Sequence, residues 1–438
     1  MVLRSSMYWK PLRITRRIGG PFREYRLRPA EPAPMKHAPS EAALPRGFRF
    51  SATACGLKKT GALDLALLSS DVPASAAAVF TQNLVVAAPV VVSKAHLKDS
   101  KGRMRAVIVN AGNANCATGA AGYQAAINTV EQTSRRLNCQ PKEVFVCSTG
   151  VIGVPLPLEK ILRALPGITR NRRPSARSFA EFSLAICTTD TRPKTATSSF
   201  RMGGKRVHLV GCAKGAGMIH PNMATTLAFV ATDANISPAL LQKTLRDVTA
   251  RTFNAISLDG DTSTNDTLLV LANGAAGTAT IKPGTTAHRA FRKALEEVCH
   301  SLALQIVADG EGAQRVIEIE VRHASTEAAA RRIGQTIATS PLVKTAFAGG
   351  DPNWGRIFAA AGRAGVKFDP NKVDIHMAGI PVLHRGQPLD FNERAASNRL
   401  LEKGVHIIVD LHAGKSSARY WTCDFTAEYV RINASYRT

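Results

Sequence analysis

Three observations predict an α/β protein. Apolar strand-like runs alternate with segments of helical period, several of those runs end in small-residue loops, and 45% of the 438 residues are hydrophobic. A chain of this length holds two or three domains or one large fused α/β unit. Residues 105–110 (Arg-Ala-Val-Ile-Val-Asn) read as a buried strand that runs into the loop 111–115 (Ala-Gly-Asn-Ala-Asn), with a helix following to about residue 136. Residues 144–147 form another short strand, 148–150 (Ser-Thr-Gly) a turn, and 157–165 a short helix. A strand at 207–210 enters a Gly-rich loop, and a strand at 226–232 leaves it. Ser237 and Pro238 open a helix that reaches about residue 251, Ser at the N-cap and Pro in the first turn. A long helix is expected at 287–304, an alternating strand at 316–322 and a helix at 325–338. The remainder reads as short strands with Gly-rich connections.

The longest apolar run, 84–92, is broken by Pro89 and reads as a buried strand; it falls short of the roughly 18 residues a membrane span needs. Residues 29–45 are rich in Pro and Ala and read as linker, so ordered chain is expected from near Gly47. Residues 1–34 carry Arg4, Lys10, Arg13, Arg16, Arg17, Arg23, Arg26 and Arg28 against Glu24 and Glu31. Such a segment is a disordered tail, a mitochondrial transit peptide, or translated sequence ahead of a start at Met35. We expect a tail on a cytoplasmic protein, with the mitochondrial matrix as the alternative.

The formal net charge is +25. A basic footprint raises nucleic-acid binding, but no basic and aromatic interleaving supports it and aromatics are only 6%. A solvated basic surface, able to draw in acidic substrates, is the reading taken, with no nucleic-acid or membrane partner. The eight cysteines (Cys55, Cys116, Cys139, Cys147, Cys187, Cys212, Cys299 and Cys423) form no CxxC pair and read as reduced, buried thiols. The eleven histidines show no paired metal spacing, and no metal is expected.

Residues 214–229 (Lys-Gly-Ala-Gly-Met-Ile-His-Pro-Asn-Met-Ala-Thr-Thr-Leu-Ala-Phe) are the most informative. Gly215 and Gly217 permit tight backbone, Pro221 fixes φ, and a hydroxyl residue follows Ala224. A threonine freed at its amine by chain scission gains a base for its own hydroxyl. Without that context Thr225 reads as an ordinary strand-start residue, and Thr226 is a rival nucleophile. Thr149 and Gly150 can supply oxyanion donors or form a plain turn. Lys214 can bind a carboxylate or sit solvated in a loop, Thr188 can donate to a ligand or cap a helix, and Glu311 between two glycines can reach a ligand amine or close a turn.

Seven further blocks accompany this stretch in order: 147–153 (Cys-Ser-Thr-Gly-Val-Ile-Gly), 188–191 (Thr-Thr-Asp-Thr), 251–257 (Arg-Thr-Phe-Asn-Ala-Ile-Ser), 259–266 (Asp-Gly-Asp-Thr-Ser-Thr-Asn-Asp), 309–312 (Asp-Gly-Glu-Gly), 350–356 (Gly-Asp-Pro-Asn-Trp-Gly-Arg) and 433–438 (Asn-Ala-Ser-Tyr-Arg-Thr). From about Gly47 to the end, the chain resembles the glutamate N-acetyltransferase (ornithine acetyltransferase) family of arginine biosynthesis. The resemblance implies a layered α/β sandwich with N-terminal-nucleophile chemistry, and self-cleavage between Ala224 and Thr225. The products would be residues 47–224, behind the basic segment 1–46, and residues 225–438. It implies Thr225 as nucleophile, Thr149 and Gly150 at the oxyanion, and Thr188, Lys214, Thr225, Glu311, Asn433 and Thr438 around substrate. The substrates implied are N2-acetylornithine and L-glutamate, with no cofactor, acetyl-CoA left open as a co-substrate, and a dimer of cleaved heterodimers; the alternative is an N-terminal-nucleophile aminopeptidase or amidase, which cuts itself in the same way but gives the acyl group to water. The blocks at 112–115, 259–266 and 350–356 receive no catalytic role, only lining or bracing.

Overall fold

The computed structural model describes residues 40–220 and 226–435. The basic segment through residue 39, the Ala224–Thr225 bond and Thr438 lie outside the described residues. In chain order the strands are β1 (Phe48–Thr53), β2 (Leu65–Phe80), β3 (Arg103–Asn113), β4 (Val144–Val151), β5 (Lys194–Met202), β6 (Lys205–Lys214), β7 (Leu227–Thr232), β8 (Ile256–Ser257), β9 (Thr267–Ala272), β10 (Val316–Ala324), β11 (Asp374–Met377), β12 (Ile380–His384), β13 (Gln387–Pro388), β14 (Gly404–Asp410) and β15 (Ser416–Cys423). They make two mixed sheets. The first runs β4-β3-β2-β9-β7-β6-β5 with β1 paired to β2, and the second runs β13-β12-β11-β14-β10-β15-β8.

The long strand β2 organises the first sheet. Its first half pairs with β1 and β3, and its second half pairs with β9; between them the register shifts and Asp71–Pro73 are exposed. Side chains point to alternate faces along a strand, so the two halves can be sorted by what each face touches. Val107 and Val109 of β3 and Phe145 and Cys147 of β4 share one apolar cluster with Val210 and Cys212 of β6, Phe229 of β7 and Leu269 of β9. The two halves of the sheet therefore face each other. On the outside, Ala106, Ile108, Val144 and Val146 meet the helices Gly119–Leu137 and Leu158–Arg170. On the other outside, Ala228, Val230, Leu268 and Val270 meet the helices Pro238–Arg251 and Thr286–Ala308. The result is helix, sheet, sheet, helix, the layered α/β sandwich expected. All six residues of β7 are buried, which explains its unbroken apolar sequence: a strand covered on both faces has no polar side. The second sheet packs the helices Glu327–Ala338, Pro341–Gly349 and Trp354–Gly362 in a core of its own.

The expected elements are found, mostly longer than the sequence indicated, and two expectations are corrected. Residues 84–92 are not a buried strand. Leu84 is 98% exposed and Pro89 sits in the first turn of the helix Ala88–Asp99, where its missing N–H costs nothing. Residues 148–150 are not a turn but the end of β4, which continues to Val151. The helix opened by Ser237 is capped as expected, its side chain accepting from the Leu240 N–H. All eight cysteines are free thiols, six of them buried, and burial pushes Cys147 and Cys212 up to about 12. Among the described residues no helix is long and apolar enough to cross a membrane.

Phe182, fully buried between the halves, meets Phe229 edge-on at 5.7 Å and Phe50 at 6.0 Å. Phe182→Ala should cost about 3–5 kcal/mol in denaturant unfolding; a loss below about 1 kcal/mol would mean that the two halves do not pack through this contact.

Candidate active site

Several strand ends meet at one edge of the sandwich. Lys214, the last residue of β6, pairs with Leu227, the first of β7, which pairs with Thr267, the first of β9. On the facing half, Ala111 and Gly112 of β3 pair with Thr149 and Gly150 of β4. Asn265 clasps the halves together: its side-chain amide donates to the Ala114 carbonyl at 2.7 Å and the Ser148 carbonyl at 2.8 Å. Between them lies a cavity of about 140 Å³.

Thr149 and Gly150 line this cavity, as do Thr188, Lys214, Glu311 and Asn433. Gly150 has φ 131°, and a Cβ there would collide with the backbone of Gly112 and Asn113, so only glycine closes β4 this way. The Lys214 ammonium donates to Thr149 Oγ1 at 3.0 Å. That leaves the Thr149 hydroxyl proton free to be donated elsewhere.

A buried charge cluster sits behind these residues. The Lys194 ammonium, with no exposed side-chain surface, bonds both Asp190 and Asp309. Asp190 also accepts from the Gly215 N–H at 2.6 Å and from the Thr188 N–H at 2.9 Å. Burial alone would raise the Asp190 carboxyl, but the charges of Lys194 and Lys214 and these donors hold it below the ordinary carboxylate value. Asp309 accepts from the Thr191 N–H at 3.0 Å and stands two residues before Glu311. The Glu311 N–H donates to the Ala216 carbonyl at 2.8 Å, and its carboxylate lies so close to Gly217 that a Cβ there would collide with it. Asn433, on the helix Ala427–Ser435, donates to Glu311 Oε2 at 3.0 Å.

The block 259–266 lines the cavity more fully than its sequence indicated. The Asp259 carboxylate accepts from the Met218 N–H at 2.6 Å and the Ile219 N–H at 2.8 Å, and so fixes the Gly-rich loop, with Met218 left-handed at φ 57°. Asp266 is fully buried, and burial pushes its carboxyl well above the ordinary value despite Lys214. Its Oδ2 finds no hydrogen-bond partner among the described residues, and neither does Oγ1 of Thr226, which also lines the cavity. Tyr429 completes the wall; burial, then the charges of Asp259, Asp261 and Glu311, raise its hydroxyl.

Six residues singled out in the sequence thus surround one cavity although they span positions 149 to 433. Ala224, Thr225 and Thr438 lie outside the described residues. Of the three unassigned blocks, 112–115 braces the β3 and β4 ends, with Asn113 donating to the Val154 and Pro155 carbonyls, and 259–266 lines the cavity. The block 350–356 does neither: Gly350 ends the helix Pro341–Gly349 and Asn353 caps Trp354–Gly362, beside the second sheet. Sequence reasoning missed Asp190, Lys194, Asp266 and Tyr429. Asp190 and Asp266 lie inside recognised blocks, but their roles come from burial, which spacing does not report.

The family model described as the ArgJ family matches residues 49–438. The arginine biosynthesis bifunctional protein ArgJ of Thermus thermophilus is 48% identical over 395 residues, 90% of this chain and 99% of that protein. Its namesake from Symbiobacterium thermophilum is 45% identical over 396 residues, 90% and 98% of the two chains. Among solved structures, ArgJ from Bacillus halodurans matches at 44% identity and TM-score 0.47, covering 48% of this chain and 98% of that one. The ornithine acetyltransferase of Mycobacterium tuberculosis, solved with ornithine, matches at 38% identity and TM-score 0.36, covering 41% and 94%. With the family model covering nearly the whole ordered chain and relatives above 40% identity along their full length, the chain belongs to the ArgJ family of arginine biosynthesis proteins.

Proposed function

We propose that the chain is a glutamate N-acetyltransferase that cuts itself between Ala224 and Thr225 and then moves an acetyl group from N2-acetylornithine to L-glutamate. The observation that carries this reading is the single cavity lined by Thr149, Gly150, Thr188, Lys214, Glu311 and Asn433. The amine freed at Thr225 takes the proton of its own hydroxyl, whose oxygen attacks the acetyl carbonyl. The tetrahedral oxyanion meets the Thr149 hydroxyl and the Gly150 N–H. Ornithine departs with a proton on its amine, leaving an acetyl ester on Thr225, and the glutamate α-amine attacks that ester in turn.

The electrostatics support this use. The bond from Lys214 to Thr149 Oγ1 leaves the hydroxyl as a donor and places a positive charge behind it, where a developing oxyanion gains most. Glu311, with Asn433 on one oxygen, presents its other oxygen for an amino-acid ammonium. Burial disfavours the ionised form of Asp266, another residue of the cavity wall, and so opposes negative charge there. One cavity serves both substrates because donor and acceptor share the α-amino-acid frame.

Acetyl-CoA as a second donor fits the word bifunctional in the relatives' names, and the free thiols fit the reducing cytoplasm. We assign a dimer of cleaved heterodimers as the working assembly.

Thr225→Ala should remain one uncut chain without transferase activity; two fragments from this variant would remove Thr225 as nucleophile. Thr149→Val should fold normally but lower kcat by roughly 10²–10³-fold, the loss typical of one oxyanion donor. A kcat within about threefold of wild type would exclude that role. Because burial raises the Asp266 carboxyl, the group favours the fold while protonated and opposes it as it ionises with rising pH. The stability gained by Asp266→Asn, compared at about pH 4 and pH 7, should therefore grow with pH; a pH-independent difference would mean an ordinary carboxylate.

A further inference from the structure

At one end of the second sheet, strand register gathers residues distant in sequence. Asp410, the last residue of β14, lies opposite Arg322 of β10 in parallel register and opposite Asp374 of β11 in antiparallel register. His323 follows Arg322, and His412 follows Asp410 by two positions. Beyond the strands the segments stay side by side: the Leu411 N–H donates to the Arg322 carbonyl at 3.1 Å and the Ala413 N–H to the His323 carbonyl at 2.8 Å. Both histidines are left-handed, φ 49° and 47°, a conformation unfavourable for a residue with a Cβ. Their rings stack with centroids 5.9 Å apart.

These rings converge on one carboxylate. His323 Nδ1 lies 2.8 Å from each oxygen of Asp410, and His412 Nδ1 lies 3.6 Å from Asp410 Oδ1. One ligand atom from each of the three residues falls within 4.8 Å of the others, and among the described residues no other group of His, Cys, Asp or Glu does this. The far nitrogen of His412, Nε2, is 2.8 Å from Asp374 Oδ2, while Asp374 Oδ1 is 3.0 Å from His384 Nδ1. Asp374, taking the N–H of His412 Nε2, leaves His412 Nδ1 as a lone pair, the arrangement that orients metal-bound histidines, and at His323 a bound ion would take the place of the proton between Nδ1 and Asp410.

We propose that His323 Nδ1, the Asp410 carboxylate and His412 Nδ1 bind a divalent transition-metal ion of the zinc class, with Asp374 as the residue that positions His412. Two imidazoles and a carboxylate match the ligand preference of zinc, and half-exposed rings can rotate to bonds of about 2.0–2.2 Å. None of the four residues lines the cavity described above. The histidine spacing concealed the site because Asp410 is 87 residues from His323, and only the pairing of β10 with β14 joins them.

The test is calorimetric titration of full-length, untagged, chelator-stripped protein with zinc chloride at about pH 7.5, where imidazole is mostly neutral. Wild type should bind one ion per chain. The double variant His323→Ala/His412→Ala should lose that binding while keeping its circular dichroism spectrum. Asp374→Asn should keep the stoichiometry and bind about 10–100-fold more weakly. Wild type without zinc binding, or a double variant that binds as tightly as wild type, would overturn the site. Unchanged affinity in Asp374→Asn would overturn the positioning role.

Discussion

The candidate active site depends on one buried ion cluster. Lys194, enclosed by protein, holds Asp190 on one side and Asp309 on the other. Through backbone N–H groups and chain continuity these two carboxylates fix the loop bearing Thr188, the Gly-rich loop after Lys214 and the turn bearing Glu311. Three cavity residues on three segments are thereby set by one ammonium. Such a cluster is a poor source of net stability, because desolvating three charges consumes much of their attraction. Its value lies in geometry. Removing one partner leaves buried charge uncompensated, at a cost of about 3–5 kcal/mol, so the loops cannot drift without a large penalty.

The sandwich supplies the setting. Folding the first sheet on itself through β2 brings the end of β4 against the starts of β7 and β9, and Asn265 ties the two halves at that edge. The cavity's charge runs against that of the whole chain. Net charge is +25, yet Asp259, Asp261 and Glu311 line the cavity against Lys214. The basic surface can hasten the arrival of anionic substrates, but inside the cavity the carboxylates favour a ligand that carries an ammonium, as amino acids do.

What could be read in the sequence followed local rules. Ser237 and Pro238 announce a helix start by capping chemistry, and the apolar run of β7 announces a covered strand. The blocks around Thr149, Thr188, Lys214, Glu311 and Asn433 identified cavity residues through the family resemblance, since each side chain taken alone also fits an ordinary turn, cap or tail. What escaped depends on contacts between distant segments. β2 is rich in Ala and Ser and contains Pro73, so nothing local marks it as the strand on which the sheet folds. Residues 84–92 look like a strand because apolar residues crowd there, but Leu84 and Val85 are exposed and the helix that begins at Ala88 buries only one side of the rest. Asp266 looks like any loop acid until burial leaves it without water, and His323 and Asp410 meet only through strand register.

The proposed chemistry has a covalent signature. Wild-type protein mixed with N2-acetylornithine and no glutamate, then quenched in acid, should yield a fragment that begins at Thr225 and is heavier by one acetyl group located on that residue. Adding glutamate should remove the acetyl group. An intact chain that still transfers acetyl groups, or a cleaved chain that turns over without ever carrying one, would contradict the acetyl-threonine route.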